Sequence, residues 1–353
     1  MGSRNPMRAT MMQFPLTLDA VLRRAATLFP NVALVEGETR TTYASFCERA
    51  ARLARGLRAV GLQPGEPVAT LLWNRMPHLE AYFAVPLAGG VVHPLNLRLH
   101  PAQLAQIVRH AGDRFILLEG GRSDLWREIA PHAGAVRVLH CPDDWNTLAD
   151  TGGQAALPSL GEEDGAAMGY TSGTTGEPKG VVYSHRALIL HALATALPDA
   201  MNLRASDCAM PLVPMFHANA WGIPYTAALM GCKQVLCGAQ FGAEAALDLL
   251  AAEQVTFSAG VGAIWQAVLD AYEREPGRWK LHSGLRVNLG GAPAPPSLFR
   301  QFDRAGIAVN MGWGMTEMTP VGTMNPHCAP APSESEHARR ARQGRPLPLV
   351  EAR

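Results

Sequence analysis

Apolar residues recur along the chain with helical spacing in some stretches and as short runs in others. A first helix is predicted to begin at Thr17, which can cap it, and to end at Pro30, because the apolar residues between them share one face: Leu18, Val21, Leu22, Ala25, Leu28 and Phe29. A second is predicted from about Tyr43 to Val60, where Gly61 ends it. Both patterns are typical of helices that pack one face on a core.

Beyond these helices, short apolar strands alternate with helical stretches. Strands are predicted at 68–72, 115–118, 136–139, 166–170, 235–237, 256–258, 286–289 and 307–310. Helices are predicted at 77–88, 101–111, 185–196, 244–252, 264–272 and 296–305. This alternation predicts an α/β fold made of open sheets with helices on both faces. The segment 326–335 is predicted to be a loop, and 337–353, with five arginines and no helical periodicity, a solvated surface segment.

Composition and charge exclude some classes of partner. The 353 residues suffice for more than one compact unit, and 31 basic against 30 acidic residues leave a net charge of +1. This balance gives no electrostatic reason to expect nucleic acid or an anionic membrane as partner. The six cysteines form no CxxC pair and no metal-ligand spacing, and no signal peptide is evident, which favours reduced thiols in a cytoplasmic protein.

The stretch from Cys208 to Cys232 contains no charged residue and is long enough to cross a membrane. It also contains Pro211, Pro214 and Pro224, together with polar side chains, which a lipid-facing helix tolerates poorly. We therefore predict protein interior here, or the lining of an apolar cavity, and no membrane span.

The segment from Tyr170 to Val182, YTSGTTGEPKGVV, has the composition of a polyphosphate-binding loop. Glycines let backbone N–H groups turn towards an anion, hydroxyls add donors, and Lys179 adds a compact positive charge. A Walker loop needs four residues between its glycines, whereas Gly173 and Gly176 are separated by two. A Rossmann fingerprint does not fit either. The remaining interpretation from composition alone is a glycine-rich surface turn.

The same string closely resembles the signature loop of the adenylate-forming superfamily, which includes acyl-CoA synthetases, aryl-CoA ligases, luciferases and peptide-synthetase adenylation domains. Three further stretches resemble its later motifs in the same order: VPMFHANAW at 213–221, NLGGAP at 288–293 and MGWGMTEMTP at 311–320. Trp313 stands where tyrosine is usual and Met311 where a polar residue is common. Stretches at 73–97, 182–188 and 255–261 are most similar to bacterial long- and medium-chain fatty-acid–CoA ligases, with Gly262 in place of a common proline.

The resemblance implies the large N-terminal domain of the adenylate-forming fold, with two packed αβα subdomains and an incomplete β-barrel portion. It places the AMP-binding domain at 13–325, divided roughly into 62–200 and 13–61 with 201–325. Residues 326–353 would begin the truncated barrel or linker, and the small C-terminal domain would be absent.

The implied reaction joins a carboxylic acid to ATP, giving acyl-AMP, and then transfers the acyl group to coenzyme A, with Mg²⁺ as the metal. The residues expected to be catalytic are Lys179, His217, Thr316 and Glu317. Those expected to bind ATP are Thr171, Ser172, Gly173, Thr174, Thr175, Gly176, Lys179, Gly290, Gly291, Ala292, Trp313, Gly314 and Thr316. The residues expected to bind the acid are His217, Asn219, Trp221 and Gly260. Those expected to bind the metal are Glu317 and Thr171.

Several alternatives stay open at this point. The chain is expected to be an acyl-CoA synthetase impaired by truncation, or a non-catalytic remnant that still binds ATP or an acyl ligand. The acid is expected to be a medium- or long-chain fatty acid, with a short thioether acid such as methylthiopropionate or an aryl acid as alternatives. A homodimer is a further expectation from the family.

Overall fold

A computed structural model describes residues 9–171, 178–238, 242–325 and 336–351. The helical segments are α1 (Leu18–Leu28), α2 (Tyr43–Ala59), α3 (Met76–Leu87), α4 (Pro101–Ala111), α5 (Ser123–Ala133), α6 (Asp143–Thr151), α7 (His185–Ala196), the single turn α8 (Ala218–Trp221), α9 (Ile223–Met230), α10 (Ala243–Ala252), α11 (Gly262–Arg274), α12 (Pro296–Arg304) and α13 (Glu336–Ala341). The strands are β1 (Ala33–Glu36), β2 (Thr39–Thr42), β3 (Pro67–Leu71), β4 (Val91–Pro94), β5 (Phe115–Glu119), β6 (Arg137–Cys141), β7 (Gly165–Thr171), β8 (Lys179–Ser184), β9 (Cys208–Pro211), β10 (Lys233–Leu236), β11 (Phe257–Val261), β12 (Arg286–Gly290), β13 (Ala308–Gly314), β14 (Val321–Met324) and β15 (Arg345–Pro346).

The strands form two open sheets. Six strands make the first, in the order β6-β5-β3-β4-β7-β8, and nine make the second, in the order β15-β14-β13-β12-β11-β9-β10-β1-β2. Neighbouring strands run parallel in the middle of both sheets and antiparallel only at β7–β8, β1–β2, β13–β14 and β14–β15. Parallel sheets are covered on both faces, which explains the short, wholly apolar runs in the sequence.

The largest apolar core lies where the two sheets face each other. It combines Val68 of the first sheet with Leu34 and Leu236 of the second. Helix α3 is buried along almost its whole length between these layers, as expected for a helix that is apolar all round. The two sheets therefore share one core, and their strand ends meet along one junction.

Most predicted elements are present, and two expectations were wrong in detail. Thr17 stands at the N-cap of α1, but its side chain makes no capping hydrogen bond and its hydroxyl donates to Asp19. Helix α13 lies where a segment without helical structure was expected. Arg340 on this helix pairs with Asp303 at 2.7 Å, a contact between distant segments that periodicity cannot reveal.

The uncharged stretch 208–232 forms β9, α8 and α9, and most of its residues are buried. Within the described ranges, no helix has the length and apolar character needed to cross a membrane. The predicted loop at 326–335 lies outside the described residues.

Candidate active site

A cavity of about 530 Å³ opens where strand ends of the two sheets meet. In α/β sheets, ligands bind at the carboxyl ends of parallel strands. Of the residues singled out from the sequence, the cavity is lined by Thr171, Lys179, His217, Trp221, Gly290, Gly291, Trp313, Gly314, Thr316 and Glu317. The structure thus brings four separate sequence motifs to one site.

Some predicted site residues lie elsewhere. Gly260 is on β11, where an added Cβ would stand 3.1 Å from the ring of Trp265. Asn219 is 3% exposed and Ala292 lies in the exposed turn after Gly291; these three do not line the cavity. Ser172, Gly173, Thr174, Thr175 and Gly176 are outside the described residues.

Four further cavity residues are missing from the predicted site, and one of them, Asn288, lies within the 288–293 motif. Met201, Val321 and Met324 make one wall apolar, and Asn288 adds a buried amide. These residues reach the cavity because of how the second sheet and the segments next to it pack together. The sequence motifs gave no reason to expect Met201, Val321 or Met324 at the cavity.

The β7–β8 hairpin fixes both ends of the glycine-rich loop, because Thr171 pairs with Lys179 and Tyr170 with Gly180. The Tyr170 ring occupies the space above Gly180, where an added Cβ would come within 3.0 Å of it. Its hydroxyl also hydrogen-bonds to His110 at 2.7 Å. The hairpin thus places Lys179, the first residue of β8, at the cavity.

The segment after His217 is a left-handed turn. Its residues 218–221 have φ values of 43°, 55°, 49° and 56°, and Gly222 follows with φ of 72°. A left-handed helix of L-residues costs about 1–2 kcal/mol per residue. Backbone strain of this kind persists only where the surroundings over-determine it, and it concentrates at functional sites. The turn places Trp221 with its indole against Gly290, where an added Cβ would lie 3.1 Å from the ring.

Helix α7 holds this turn in place. The His191 ring fills the space where Gly222 would carry a Cβ, which would lie 2.6 Å from the imidazole. Thr226 Oγ1 donates to the Gly222 carbonyl at 3.1 Å and lies 2.9 Å from Thr195 Oγ1. A side chain at position 222 would therefore displace His191 and the turn together.

The same histidine connects the turn to the segment that carries Glu317. The Val321 backbone N–H donates to His191 Nε2 at 3.2 Å, and burial lowers the pKa of His191 to about 4. The neutral ring is therefore the form present at neutral pH, and only that form can accept this hydrogen bond. Tyr183 adds a second tie, since its hydroxyl donates to the Thr316 carbonyl at 2.6 Å.

The charges at the cavity are few. Lys179 and Glu317 are exposed to it, and no ion pair of either is found in the part of the chain that the structure describes. Burial lowers the pKa of His217, and the positive charge of Arg98 lowers it further. His217 is therefore neutral at pH 7, and the positive charge at the cavity comes from Lys179.

The donor set suits a hard cation held together with a polyphosphate. The described residues contain no group of three or more His, Cys, Asp or Glu side chains that could hold a metal. Glu317 and the hydroxyl of Thr171 both line the cavity. Mg²⁺ is commonly bound by one or two carboxylates plus substrate phosphates and water. These residues fit Mg²⁺ brought in with a nucleotide and do not fit an all-protein metal cage.

Asn74 ties the end of β3 to the segment that carries His217, and its replacement by alanine tests this tie. Its Nδ2 donates to the Val213 carbonyl at 2.9 Å, and its Oδ1 accepts from the Met215 N–H at 2.7 Å. Because the residue is 3% exposed, Asn74→Ala leaves buried backbone groups without partners. We expect the free energy of unfolding in urea to fall by about 2–3 kcal/mol.

The exposed Asn146, whose side chain accepts a hydrogen bond from Arg49, provides the control. Asn146→Ala is expected to change the free energy of unfolding by less than about 0.5 kcal/mol. Equal losses for the two variants would show that Asn74 does not hold the 213–217 segment.

Comparisons with known proteins agree with this geometry. The family model described as AMP-binding enzyme matches residues 22–353. A long-chain-fatty-acid–CoA ligase of Thermus thermophilus is 42% identical, over 99% of this chain and 67% of its own length. A 3-methylmercaptopropionyl-CoA ligase of Ruegeria pomeroyi is 38% identical, over 96% of this chain and 67% of its own length. This chain thus spans about two thirds of these relatives.

Solved structures show the same fold. The inhibitor-bound N-terminal domain of FACL13 from Mycobacterium tuberculosis superposes with a TM-score of 0.81 at 26% identity, covering 94% of this chain and 82% of that one. A long-chain-fatty-acid-CoA ligase from Archaeoglobus fulgidus gives a TM-score of 0.83 at 23% identity, covering 97% and 71%. The expected α/β fold of a large N-terminal domain is confirmed, and so is the resemblance to fatty-acid–CoA ligases.

Proposed function

Because the chain belongs to the AMP-binding enzyme family, we propose that it activates a carboxylic acid with ATP to an acyl-adenylate whose acyl group then passes to coenzyme A. AMP-forming acyl-CoA ligases of this family use ATP, Mg²⁺ and coenzyme A. The observation that carries the proposal is the single cavity in which Lys179, Glu317, the Gly290–Gly291 turn and an apolar wall meet. That combination suits a nucleotide and an acid bound side by side.

The nucleotide is assigned to the polar side of the cavity. Trp313 is 38% exposed and offers an aromatic face for the adenine. The backbone at Gly290 and Gly291 leaves room for a ring to approach closely, since neither has a side chain. Lys179 neutralises phosphate charge at the end of the hairpin, and the hydroxyl of Thr316 reaches the same space.

The metal is assigned to Glu317 and Thr171, in the part of the cavity lined by the end of β7. Bound Mg²⁺ supplies charge neutralisation for the phosphates during attack by the carboxylate. Attack of one anion on another needs such neutralisation together with alignment. Lys179 provides the protein's own part of it, and the neutral His217 orients the acid without adding a charge.

The acid is assigned to the apolar side, between Trp221, Met201 and Met324. These side chains are each at most 9% exposed and belong to one apolar cluster. The relatives named above act on a long-chain fatty acid and on 3-methylmercaptopropionate. We propose a medium- or long-chain fatty acyl group as the substrate class, with a short thioether acid as the second candidate because its ligase is 38% identical.

We propose that the chain divides near residues 62 and 200 into two α/β units. The first sheet uses residues 67–184, and the second uses 33–42 together with 208–346. This arrangement supports 62–200 as one unit and 13–61 with 201–325 as the other. The cavity then lies between the units, which suits a site that binds two substrates.

Product identification tests the proposed reaction. The chain is incubated with MgATP, coenzyme A and acids of graded length, and acyl-AMP, acyl-CoA and AMP are measured by mass spectrometry. We expect acyl-AMP with the preferred acid and at least about 100-fold less with Lys179→Ala, since a charge aimed at the reacting phosphates is lost. The exposed Lys280→Ala is the matched control. A folded chain that binds ATP and forms no acyl-AMP with any acid would instead be a binding remnant.

A further inference from the structure

Strand β12 carries a polar residue at the bottom of the apolar wall. Side chains of a strand alternate between the two faces of the sheet. Val287 and Leu289 pack into the apolar cluster on one face, so Asn288 points to the opposite face, where it is 2% exposed and lines the cavity. Its register neighbours are Ala259 on β11 and Asn310 on β13.

Apart from Asn310 on β13, the neighbours of Asn288 described here are apolar or glycine. Ala259, beside it, belongs to the cluster that also contains Met201, Trp221 and Met324. Gly290, two residues further on the same face, lies against the Trp221 indole. An aliphatic side chain of the same size would suit this position if it served only to complete the wall.

The amide nitrogen of Asn288 is not satisfied by the residues that the structure describes. Its Nδ2 is buried and has no hydrogen-bond partner in the described chain. Buried polar groups in folded proteins almost always have a partner, and an orphan calls for an explanation such as a ligand. Since this amide borders a cavity, a bound molecule is the natural source of that partner.

The position of Asn288 in the cavity determines which part of the bound substrates lies next to it. The nucleotide is assigned to Trp313 and to the turn that follows Gly290. Asn288 lies two strand residues back from that turn, a distance of about 7 Å, on the side of the apolar cluster. The acyl chain is the part of the substrates assigned to that side.

We propose that Asn288 is a specificity-determining residue, whose amide hydrogen-bonds to an oxygen carried along the acyl chain. The substrate is then a hydroxy- or oxo-substituted carboxylic acid, and an unsubstituted hydrocarbon chain is disfavoured. This inference rests on the proposed function. A hydroxyl can donate and accept, so it matches the amide whichever way the amide nitrogen and oxygen are turned.

Discrimination follows from the pairing of buried groups. A site built to hydrogen-bond a substrate oxygen rejects an analogue without it, because the protein group is left unpaired in a dry environment. We expect the matched substituted chain to bind about 10–100-fold more tightly than the unsubstituted chain. Replacement of Asn288 by leucine, which has a similar size, removes this preference.

The test uses stable acyl-adenylate mimics, in which a sulfamate links adenosine to the acyl group. One series carries an unsubstituted medium-length chain, and the others carry a hydroxyl or keto oxygen at successive positions. Affinities are measured by calorimetry for the wild-type chain, Asn288→Leu, and Asn310→Leu as the matched control on the neighbouring strand. The wild-type series decides the question even if a variant fails to fold.

The expected result is one substituted mimic that binds the wild-type chain and Asn310→Leu more tightly than the unsubstituted mimic, with the order lost or reversed in Asn288→Leu. If the wild-type chain binds the unsubstituted mimic as tightly as every substituted one, the inference about Asn288 is wrong and the proposed function stands. If no mimic binds to the folded wild-type chain, the proposed function fails and this inference fails with it.

Discussion

Replacing Glu317 with glutamine lowers the yield of acyl-adenylate by about 100-fold, which is the order of loss when one preorganised charge contact is removed from a reacting centre. The substitution keeps the size of the side chain and removes the negative charge assigned to Mg²⁺. The two chains should differ in how their activity depends on the Mg²⁺ concentration. Wild-type activity is expected to rise with Mg²⁺ and vanish on chelation, whereas the residual activity of the variant stays low at all Mg²⁺ concentrations.

The matched control is Glu163→Gln, because Glu163 is also exposed and its side chain is 78% accessible away from the cavity. Its Mg²⁺ dependence should equal that of the wild-type chain. Unfolding in urea should be unchanged in Glu317→Gln, because Glu317 has no ion pair in the described part of the chain. It should change little in Glu163→Gln, because the exposed Glu163 pairs with Arg186 only at 3.9 Å. A Glu317→Gln chain with wild-type response to Mg²⁺ would contradict the metal assignment.

The second large effect is a loss of stability in mild acid, caused by buried histidines. Burial lowers the pKa of His78 and of His191 to about 4, from an ordinary value of 6.5. The unfolded chain therefore binds protons at a higher pH than the folded chain. The stabilisation is complete above pH 6.5 and is lost as the pH falls towards 4, by about 3 kcal/mol for each histidine.

Two buried carboxyl groups act in the opposite direction. Burial raises the pKa of Glu80 and of Asp113, so the folded chain takes up these protons more readily and gains stability as the pH falls. A single acid titration of the wild-type chain therefore mixes both effects. A variant that removes one histidine separates them.

His191→Gln is the suitable variant, because the glutamine amide oxygen can accept the Val321 N–H without titrating. We expect the free energy of unfolding to fall between pH 7 and pH 4.5 by about 2–3 kcal/mol less in this variant than in the wild-type chain. Urea unfolding at the two pH values measures the difference. His132 is exposed, so His132→Gln is the control and should lose as much stability between the two pH values as the wild-type chain. If His191→Gln also lost as much as the wild-type chain, the claim that the buried His191 ring is neutral would be contradicted.

Local signals in the sequence were sufficient for much of the fold. Helices α4 and α7 have the predicted bounds because residues next to their ends determine where they begin and end. Pro101 begins α4, and Gly112 follows it in the left-handed conformation. Ser184 caps α7 by accepting a hydrogen bond from the Ala187 N–H. Parts of the predicted motifs line the cavity because Thr171, Gly290 and Gly314 end β7, β12 and β13, and ligand sites form at the carboxyl ends of such strands.

Other features depend on contacts between distant segments and had no local signal. The left-handed turn 218–221 contains no glycine, and His191, which helps to hold it, is one of two histidines in an apolar helix. Strands β1 and β4 are four residues long and owe their structure to pairing with β10 and β3. In the sequence, Asn288 is one residue of a turn motif. The proposal about its role depends on its burial and on the unpaired Nδ2 atom, which only the structure shows.

The exchange of labelled pyrophosphate into ATP tests the central claim most directly, because it measures reversible formation of acyl-adenylate at this cavity without coenzyme A. The proposed function predicts exchange that requires both Mg²⁺ and an acid and is lost in Lys179→Ala and Glu317→Gln. Exchange that is absent with every acid tested, in a chain shown to be folded and to bind ATP, would contradict it.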